Sequence, residues 1–249
     1  MRASLALWLI AGLAAGCSPE PCGGLVCPVT LASGQRPGPI AVDGTSVYWG
    51  NYDGNNTVTT ATLMKVPVEG GSPIALAASP YWIDAIALDE TSVYWTTLNF
   101  TTTSGAVMKV PREGGTATTL ASFTSLGEVP LPIAIDGTSA YWAYYRPDYG
   151  GTVASVPLAG GSVATLVSGQ EDITALAVDG TNIYWATTST DVRRVPLPGG
   201  TWSTVATLPG SRLGDFAVDA TSAYWTQWNH LGKVGLDSGT VTILLAPTA

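Results

Sequence analysis

Charged and chemically reactive side chains are scarce in this chain. Only 11% of its 249 residues are charged, and it has one histidine and three cysteines. A single histidine, His230, excludes a two-histidine metal motif, and no serine or cysteine near it is marked as a nucleophile. The ten Lys and Arg residues never form a patch, which argues against a nucleic-acid partner. We expect no cofactor, no metal site and no catalytic residue.

Long apolar runs are also scarce. The one candidate, Leu5–Ala15, has 11 residues and follows the basic Arg2. It is too short to span a bilayer and is typical of an export signal. The run ends in Leu13-Ala-Ala-Gly-Cys17, which resembles the lipobox of bacterial lipoproteins. That resemblance implies lipidation of Cys17, while an ordinary cleaved signal with a chance cysteine is the alternative.

These features predict how the N-terminal part is organised. Residues 1–16 are a lipoprotein signal peptide, and residues 17–28 are a lipidated tether. Several acyl chains would anchor the protein stably to a membrane. We therefore expect it in the cell envelope, facing the periplasm or the exterior. Cys22 and Cys27 indicate a disulfide in this oxidising compartment, with two free thiols as the alternative.

The chain is rich in repetition. The phrase Ile40-Ala-Val-Asp-Gly-Thr-Ser-Val-Tyr-Trp49 recurs at 86–95, 133–142, 176–185 and 216–225. Its aspartates are spaced by 46, 47, 43 and 40 residues: Asp43, Asp89, Asp136, Asp179 and Asp219. A strand-like repeat with this period is typical of propeller blades. We predict that residues 29–249 form an all-β β-propeller of five four-stranded blades, with a short or incomplete six-bladed ring as the alternative.

Each part of the repeat has a predicted structural role. Alanine at the second position fits the crowded inner strand, and its apolar neighbours fill the contact with the adjacent blade. The Tyr-Trp pair fills the wider gap further out, with its polar atoms reaching the turn backbone. In Asp-Gly-Thr, the carboxylate accepts backbone N–H bonds and glycine supplies a positive φ. A later Gly-Gly makes the third tight turn, and a proline before it marks a strand end.

Two of these motifs carry a family resemblance. Ile-Ala-Val-Asp-Gly-Thr-Ser-Val-Tyr-Trp and Lys-Val-Pro-x-x-Gly-Gly resemble the YWTD repeats of low-density-lipoprotein-receptor-type propellers. They resemble more closely the propeller lipoproteins of unknown function in predatory and soil bacteria. The resemblance covers residues 29–249 and implies the propeller fold. YWTD propellers usually have six blades, whereas this sequence predicts five.

The sequence leaves the closure of the ring open. Val29–Gln35 closely matches Ala164–Gln170 and therefore predicts a fourth strand placed before blade 1. Val241–Leu245 already supplies a fourth strand for the last blade. Either the N-terminal strand adds to the edge of the last blade, or the chain is a short relative of a longer ring.

The turns divide the predicted propeller into two faces. The Asp-Gly-Thr and Gly-Gly turns share one face, and these turns are short and uniform. The opposite face carries longer loops that differ between blades, and binding residues more often lie on such loops. The aromatic and basic candidates for a binding face are Tyr52, Tyr81, Trp82, Tyr144, Tyr145, Arg146, Tyr149, Trp228 and His230. The alternative is that these rings only cap their loops or help to close the channel.

Acidic residues precede the inner strands. Asp84, Glu128, Asp172 and Asp215 are expected to form a solvated rim at the mouth of the channel. The favoured function is therefore a lipid-anchored, non-enzymatic propeller whose loop face binds a protein or an envelope glycan. The alternative is a propeller hydrolase or lyase that acts on a carbohydrate or lactone through the acidic rim.

Overall fold

The fold is all-β. The computed structural model describes residues 30–52, 60–99, 101–102, 104–123, 129–146, 148–210, 213–227 and 230–245. Within these ranges the regular elements are 20 strands, and no helix is present. The described residues accordingly contain no helix long and apolar enough to cross a membrane. The signal peptide, the tether and all three cysteines lie outside the described residues.

The strands fall into five blades of four. Blade 1 is β1 Pro37–Val42, β2 Ser46–Tyr52, β3 Ala61–Pro67 and β4 Ile74–Ser79. Blade 2 is β5 Trp82–Leu88, β6 Ser92–Asn99, β7 Ser104–Pro111 and β8 Thr118–Phe123. Blade 3 is β9 Val129–Ile135, β10 Ser139–Arg146, β11 Gly150–Pro157 and β12 Ala164–Gln170. Blade 4 is β13 Ile173–Val178, β14 Asn182–Thr187, β15 Asp191–Pro196 and β16 Ser203–Thr207. Blade 5 is β17 Phe216–Val218, β18 Ser222–Gln227, β19 His230–Gly235 and β20 Val241–Leu245.

Within every blade the strands pair in chain order. Each of the five sheets is an antiparallel meander, from β1–β2–β3–β4 in blade 1 to β17–β18–β19–β20 in blade 5. This confirms the predicted five four-stranded blades. The prolines before the Gly-Gly turns end the third strands of blades 1 to 4, where no further ladder bond is needed.

Neighbouring blades are joined by four apolar cores in the described residues. In each core the repeat tyrosine of one blade meets the repeat tryptophan of the next, for example Tyr48 with Trp95 and Tyr141 with Trp185. All five repeat tryptophans are at most 4% exposed. The prediction that these rings are core is confirmed, and four of them, Trp95, Trp142, Trp185 and Trp225, fill the gaps between blades with their large apolar area.

Three details of the predicted repeat are wrong. Glycine in Asp-Gly-Thr has a positive φ only at Gly180, since Gly44 and Gly137 do not. The tyrosine hydroxyls bond the aspartate side chain and not the turn backbone. The apolar neighbours of the inner-strand alanine do not meet another blade in blade 1, where Ile40 and Val42 are each 64% exposed.

The N-terminal segment also differs from its prediction. Residues 30–35 form no ladder and are not a strand. They do not add to the edge of the last blade either, since its sheet contains only β17 to β20 among the described residues. The matching segment in blade 3 forms β12 because the third strand β11 lies beside it.

Candidate functional site

The uniform face is built from one hydrogen-bonded unit repeated five times. Oδ1 of the repeat aspartate accepts two backbone N–H groups at 2.7–2.9 Å, from the residues two and three positions later. Oδ2 accepts the hydroxyl of the repeat tyrosine at 2.6–3.1 Å. Both carboxylate oxygens are therefore occupied by the blade's own groups, so the five aspartates serve the turn and not a ligand.

These bonds shift the pKa values of both partners. Burial alone would raise the pKa of Asp136, but hydrogen bonds from Tyr141, Thr138 and Ser139 outweigh it and hold that pKa below its ordinary value. At Asp219 the backbone N–H of Thr221, together with the other donors of the turn, lowers the pKa to about 2. Burial and the bond to Asp136 raise the pKa of Tyr141 to about 12. The carboxylates thus stay ionised and the phenols neutral at physiological pH.

The uniform face also carries cationic bridges between blades. Lys65 donates to the carbonyl of Arg112, and Lys109 donates to that of Leu158, at 3.0 and 3.3 Å. In blade 4, Arg194 makes the equivalent bond and donates to the carbonyl of Leu236 at 3.1 Å. Sequence reasoning missed this role, although the Lys-Val-Pro motif placed the cation at the same repeat position each time. These three basic side chains therefore bond the main chain of the next blade and are not displayed for a ligand.

On the opposite face, called the variable face, the first aromatic group is a stacked pair. The rings of Tyr52 and Trp82 lie 3.6 Å apart at 19°, one from each of blades 1 and 2. The Tyr52 hydroxyl donates to the carbonyl of Ile83 at 3.0 Å. The backbone of Tyr81 bonds the hydroxyl of Ser79 through both its N–H and its carbonyl. The structure thus brings Tyr52 and Trp82 together as a half-buried stacked contact between blades 1 and 2.

The cluster at residues 144–149 divides into two parts. Tyr144 packs against the core shared by blades 2 and 3. Arg146 stacks on the ring of Tyr149, with 4.6 Å between guanidinium carbon and ring centroid. Tyr149 is 59% exposed, and Tyr145, on the other side of the strand, is 37% exposed. The structure therefore joins Arg146 with Tyr149, and the alternation of β10 puts Tyr145 on the opposite side of the sheet from Arg146.

Gly150 and Gly151 allow the turn at Tyr149 to lie close against the end of β12. The N–H of Gly169 donates to the carbonyl of Tyr149 at 2.8 Å. A Cβ at Gly150 would lie 2.4 Å from the backbone oxygen of Gln170, and one at Gly151 would lie 2.1 Å from that of Glu171. Only glycine allows so close an approach. The Gly-Gly pair in the sequence was the signal for this contact, but its partner strand could not be deduced from the sequence.

The remaining candidates are dispersed. Asp172 is exposed and accepts the Thr188 N–H only through its main-chain carbonyl. Asp215 Oδ1 accepts the N–H of Phe216, and Asp84 lies at an irregularity in β5. His230 opens β19, opposite Gln227. Trp228 and Glu128 lie outside the described residues.

No metal-binding cluster is found in the part of the chain that the structure describes. Within that part, no group of three or more His, Cys, Asp or Glu side chains converges as metal ligands would. Of the described acidic candidates, Asp215 bonds the neighbouring backbone N–H of Phe216. What the variable face offers is the exposed Tyr149 ring stacked with Arg146, a combination suited to contact with a protein or a sugar.

No protein-family model matches the chain, and no curated protein matches it. Solved structures do match. A chain of the nidogen/laminin complex superposes with a TM-score of 0.65 at 16% identity, covering 82% of this chain and 76% of that one. TolB from Acinetobacter baumannii gives a TM-score of 0.56 at 15% identity, covering 86% and 69%.

An enzyme also shares the fold. A puromycin-hydrolysing peptidase from Mycobacterium tuberculosis gives a TM-score of 0.67 at 15% identity, covering 85% of this chain. This chain spans only 37% of that peptidase. At such identities the likeness establishes the propeller fold and its repeats, and it assigns no function.

Proposed function

We propose that this chain is a lipid-anchored, non-enzymatic propeller that uses its variable face to bind a protein or an envelope glycan. The observation that carries the proposal is the exposed Tyr149, stacked by Arg146 on a turn that is tied to β12. A ring already held in place loses little conformational entropy on binding. Tyr149 and Arg146 are therefore the central contacts of the proposed site.

The two faces support this choice by their chemistry. On the uniform face the repeat carboxylates and hydroxyls are already bonded to each other, so they offer a ligand few free groups. On the variable face Tyr149 and Tyr145 keep exposed ring area. Exposed tyrosine with arginine is the composition found at the centres of protein interfaces. Tyrosine rings also suit the apolar face of a sugar ring.

The anchor places this site at a membrane. Lipidation at Cys17, followed by the tether of residues 17–28, would hold the propeller in the cell envelope, facing the periplasm or the exterior. A Cys22–Cys27 disulfide would shorten that tether. The likeness to a chain of the nidogen/laminin complex supports a protein ligand, because it shows this fold within a protein–protein assembly.

The test is a crosslinking pull-down from native envelopes, paired with a glycan array. Tyr149→Ala and Arg146→Ala are compared with wild type and with Trp202→Ala as a matched control. Trp202 is also partly exposed and also stacks with an arginine, Arg193, at 4.9 Å. It follows the Gly-Gly turn of blade 4, so it lies towards the uniform face.

We expect Tyr149→Ala and Arg146→Ala each to lower capture of the ligand about tenfold or more. Trp202→Ala should leave capture unchanged. Equal capture by all four proteins would refute the site.

Separately, Cys17→Ser should abolish labelling by a fatty-acid probe, and unchanged labelling would refute the anchor.

A further inference from the structure

Blade 4 carries a charged cluster where it meets the end of β12 from blade 3. Arg193 donates to Oε1 of Gln170 at 2.8 Å and to Oδ2 of Asp191 at 2.7 Å. It also pairs with Glu171 at 3.5 Å, and the ring of Trp202 stacks on its guanidinium at 4.9 Å. Only 11% of the Arg193 side chain is exposed. The cluster therefore fills the space between β12 and blade 4.

Blade 1 meets residues 30–35 in a similar way. In the ladder, Met64 lies opposite the repeat tryptophan of blade 1, as Arg193 lies opposite that of blade 4. Gln35 Nε2 donates to the carbonyl two residues earlier at 3.4 Å, and Gln170 Nε2 makes the same bond at 3.3 Å. The glycines that precede these two glutamines have φ 69° and 71°. Gln35 and Met64 are thus the counterparts of Gln170 and Arg193.

The charged cluster itself is replaced in blade 1. Other side chains stand at the positions of Arg193, Trp202, Asp191 and Glu171, namely Met64, Pro73, Thr62 and Arg36, respectively. The guanidinium, the ring above it and both carboxylates are therefore missing from this blade. In their place, a cleft of about 370 Å³ lies between residues 30–35 and blade 1.

The cleft keeps several polar groups that bond nothing within the described residues. Gln35 lines it, and Oε1 of this side chain is buried without a hydrogen-bond partner, whereas Oε1 of Gln170 accepts from Arg193. The hydroxyls of Thr30, Ser33 and Ser72 also line the cleft and have no partner in the described part of the chain. A buried amide oxygen without a donor is costly, so the cleft is suited to a ligand that supplies one.

The lining also decides the chemical class of that ligand. None of the residues that line the cleft is charged, and Leu31, Met64 and Pro73 give it an apolar wall. Hydroxyl groups both donate and accept, while Oε1 of Gln35 accepts. An uncharged sugar has hydroxyls that match both roles and a C–H face that matches the apolar wall. The volume lies at the lower end of the range for ligand cavities and has room for one or two sugar rings.

We propose that this cleft binds an uncharged mono- or disaccharide unit. Gln35 accepts a sugar hydroxyl, and the Ser33 and Ser72 hydroxyls bond others. The Gln35 amide is held only by the 3.4 Å bond from Nε2, so it can turn about its last torsion and present Oε1 to the sugar. The flexible thioether of Met64 adapts to the face of the ring. This site is separate from Tyr149 on the variable face and does not depend on the function proposed there.

Two other classes of ligand fit less well. An arginine side chain or another cation would find neither carboxylate of the blade 4 cluster, since Thr62 and Arg36 stand in their places. Arg36 would also repel it. A purely apolar ligand would leave Oε1 of Gln35 without a donor. An uncharged ligand with several hydroxyls meets neither objection.

The test uses methyl NMR of the full chain labelled with ¹³C at the methionine methyl groups. The chain has three methionines, Met1, Met64 and Met108. Met64 reports on the cleft, and Met108 is a matched internal control, because it holds the same ladder position in blade 2. The probes are glucose, galactose, mannose, N-acetylglucosamine and cellobiose, with arginine amide as the cationic probe.

We expect at least one of these sugars to shift the Met64 methyl signal in a saturable way, while the Met108 signal stays in place. Gln35→Leu keeps a side chain of similar size without the acceptor and should weaken sugar binding about tenfold or more. Pro73→Trp introduces the ring that covers this position in blade 4 and should block binding. Gln170→Leu is the matched control and should leave the sugar affinity unchanged. An unchanged Met108 signal verifies that each variant is folded.

Three results would overturn the proposal. The first is a Met64 signal that no sugar of the panel moves. The second is equal sugar affinity in wild type and Gln35→Leu. The third is a Met64 shift that arginine amide alone produces, which would make the ligand a cation. Tyr149→Ala separates this site from the variable face, because it should leave the sugar-induced Met64 shift intact, and loss of that shift would also contradict the proposal.

Discussion

The two faces of the propeller are made of the same four-stranded blades but hold their polar groups differently. On the uniform face, every blade uses its aspartate, tyrosine and turn N–H groups to satisfy one another. On the variable face, Tyr149 and Arg146 stack on each other and keep exposed area. The difference shows that repetition marks the scaffold, whereas the residues available to a ligand lie where the repeat stops.

If repetition marks the scaffold, its buried rings should carry the largest effect. Trp185→Ala should lower the free energy of unfolding by about 3–5 kcal/mol, since it leaves a cavity between blades 3 and 4. Chemical denaturation measures this loss. Trp202→Ala is the control, and its half-exposed ring should cost far less. Equal losses would break the distinction between core and surface tryptophans.

The glycine pair Gly150–Gly151 lets the turn of Tyr149 lie close against the backbone of Gln170 and Glu171. Gly151→Ala would place a methyl group 2.1 Å from the Glu171 oxygen, so the turn must move. We expect a loss of about 1–3 kcal/mol in unfolding free energy, and weaker ligand capture. Gly137→Ala is the matched control, because a Cβ there meets nothing within 4 Å. Retained capture by Gly151→Ala would show that the turn need not be fixed.

The carboxylates allow a direct comparison between the faces. Asp136→Ala removes the acceptor of two backbone N–H groups and of the Tyr141 hydroxyl. The expected cost is about 1–3 kcal/mol in unfolding free energy. Asp148→Ala, on the exposed turn of the variable face, should cost less than about 0.5 kcal/mol. Similar costs at both positions would contradict the assigned roles.

The same aspartates predict how stability depends on pH. A carboxyl whose pKa is lower in the folded state stabilises the fold above its ordinary pKa and loses that contribution as pH falls. The pKa of Asp219 is lowered from 3.8 to about 2. Unfolding free energy should therefore decline between about pH 4 and pH 2. Denaturation curves recorded across this range test it, and a flat profile would contradict it.

The smallest effect on stability is expected at the proposed binding residue itself. Tyr149→Ala should change the free energy of unfolding by less than about 0.5 kcal/mol, because the ring is largely exposed. It should nevertheless weaken ligand capture. A large loss of stability with unchanged capture would make Tyr149 part of the scaffold.

The scaffold could be predicted from the sequence because its contacts recur at fixed offsets. Asp136 and Tyr141 are five residues apart in every copy of the unit, so their roles follow from the local turn. Arg146 and Tyr149 could be named as candidates, but their stacking depends on how the hairpin turns. The contact of Gly151 with Glu171 joins residues from different strands that no repeat aligns, so only the folded chain reveals it.

The N-terminal segment illustrates the same limit. Its match to Ala164–Gln170 predicts a strand, but residues 30–35 form no ladder and share with that segment only the geometry of the glycine and the glutamine. The match could not tell whether a third strand lies beside it, because pairing depends on what occupies the neighbouring position. The sequence therefore predicts a strand where the described residues form no ladder.

The most direct test of the central claim is hydroxyl-radical footprinting of the anchored protein in native envelopes, compared with the purified protein. The claim predicts that Tyr149 becomes protected in the envelope, where the ligand is present. Trp202, towards the uniform face, should react equally in both samples. Protection of Trp202 with unchanged reactivity of Tyr149 would contradict the assignment of the variable face as the binding face.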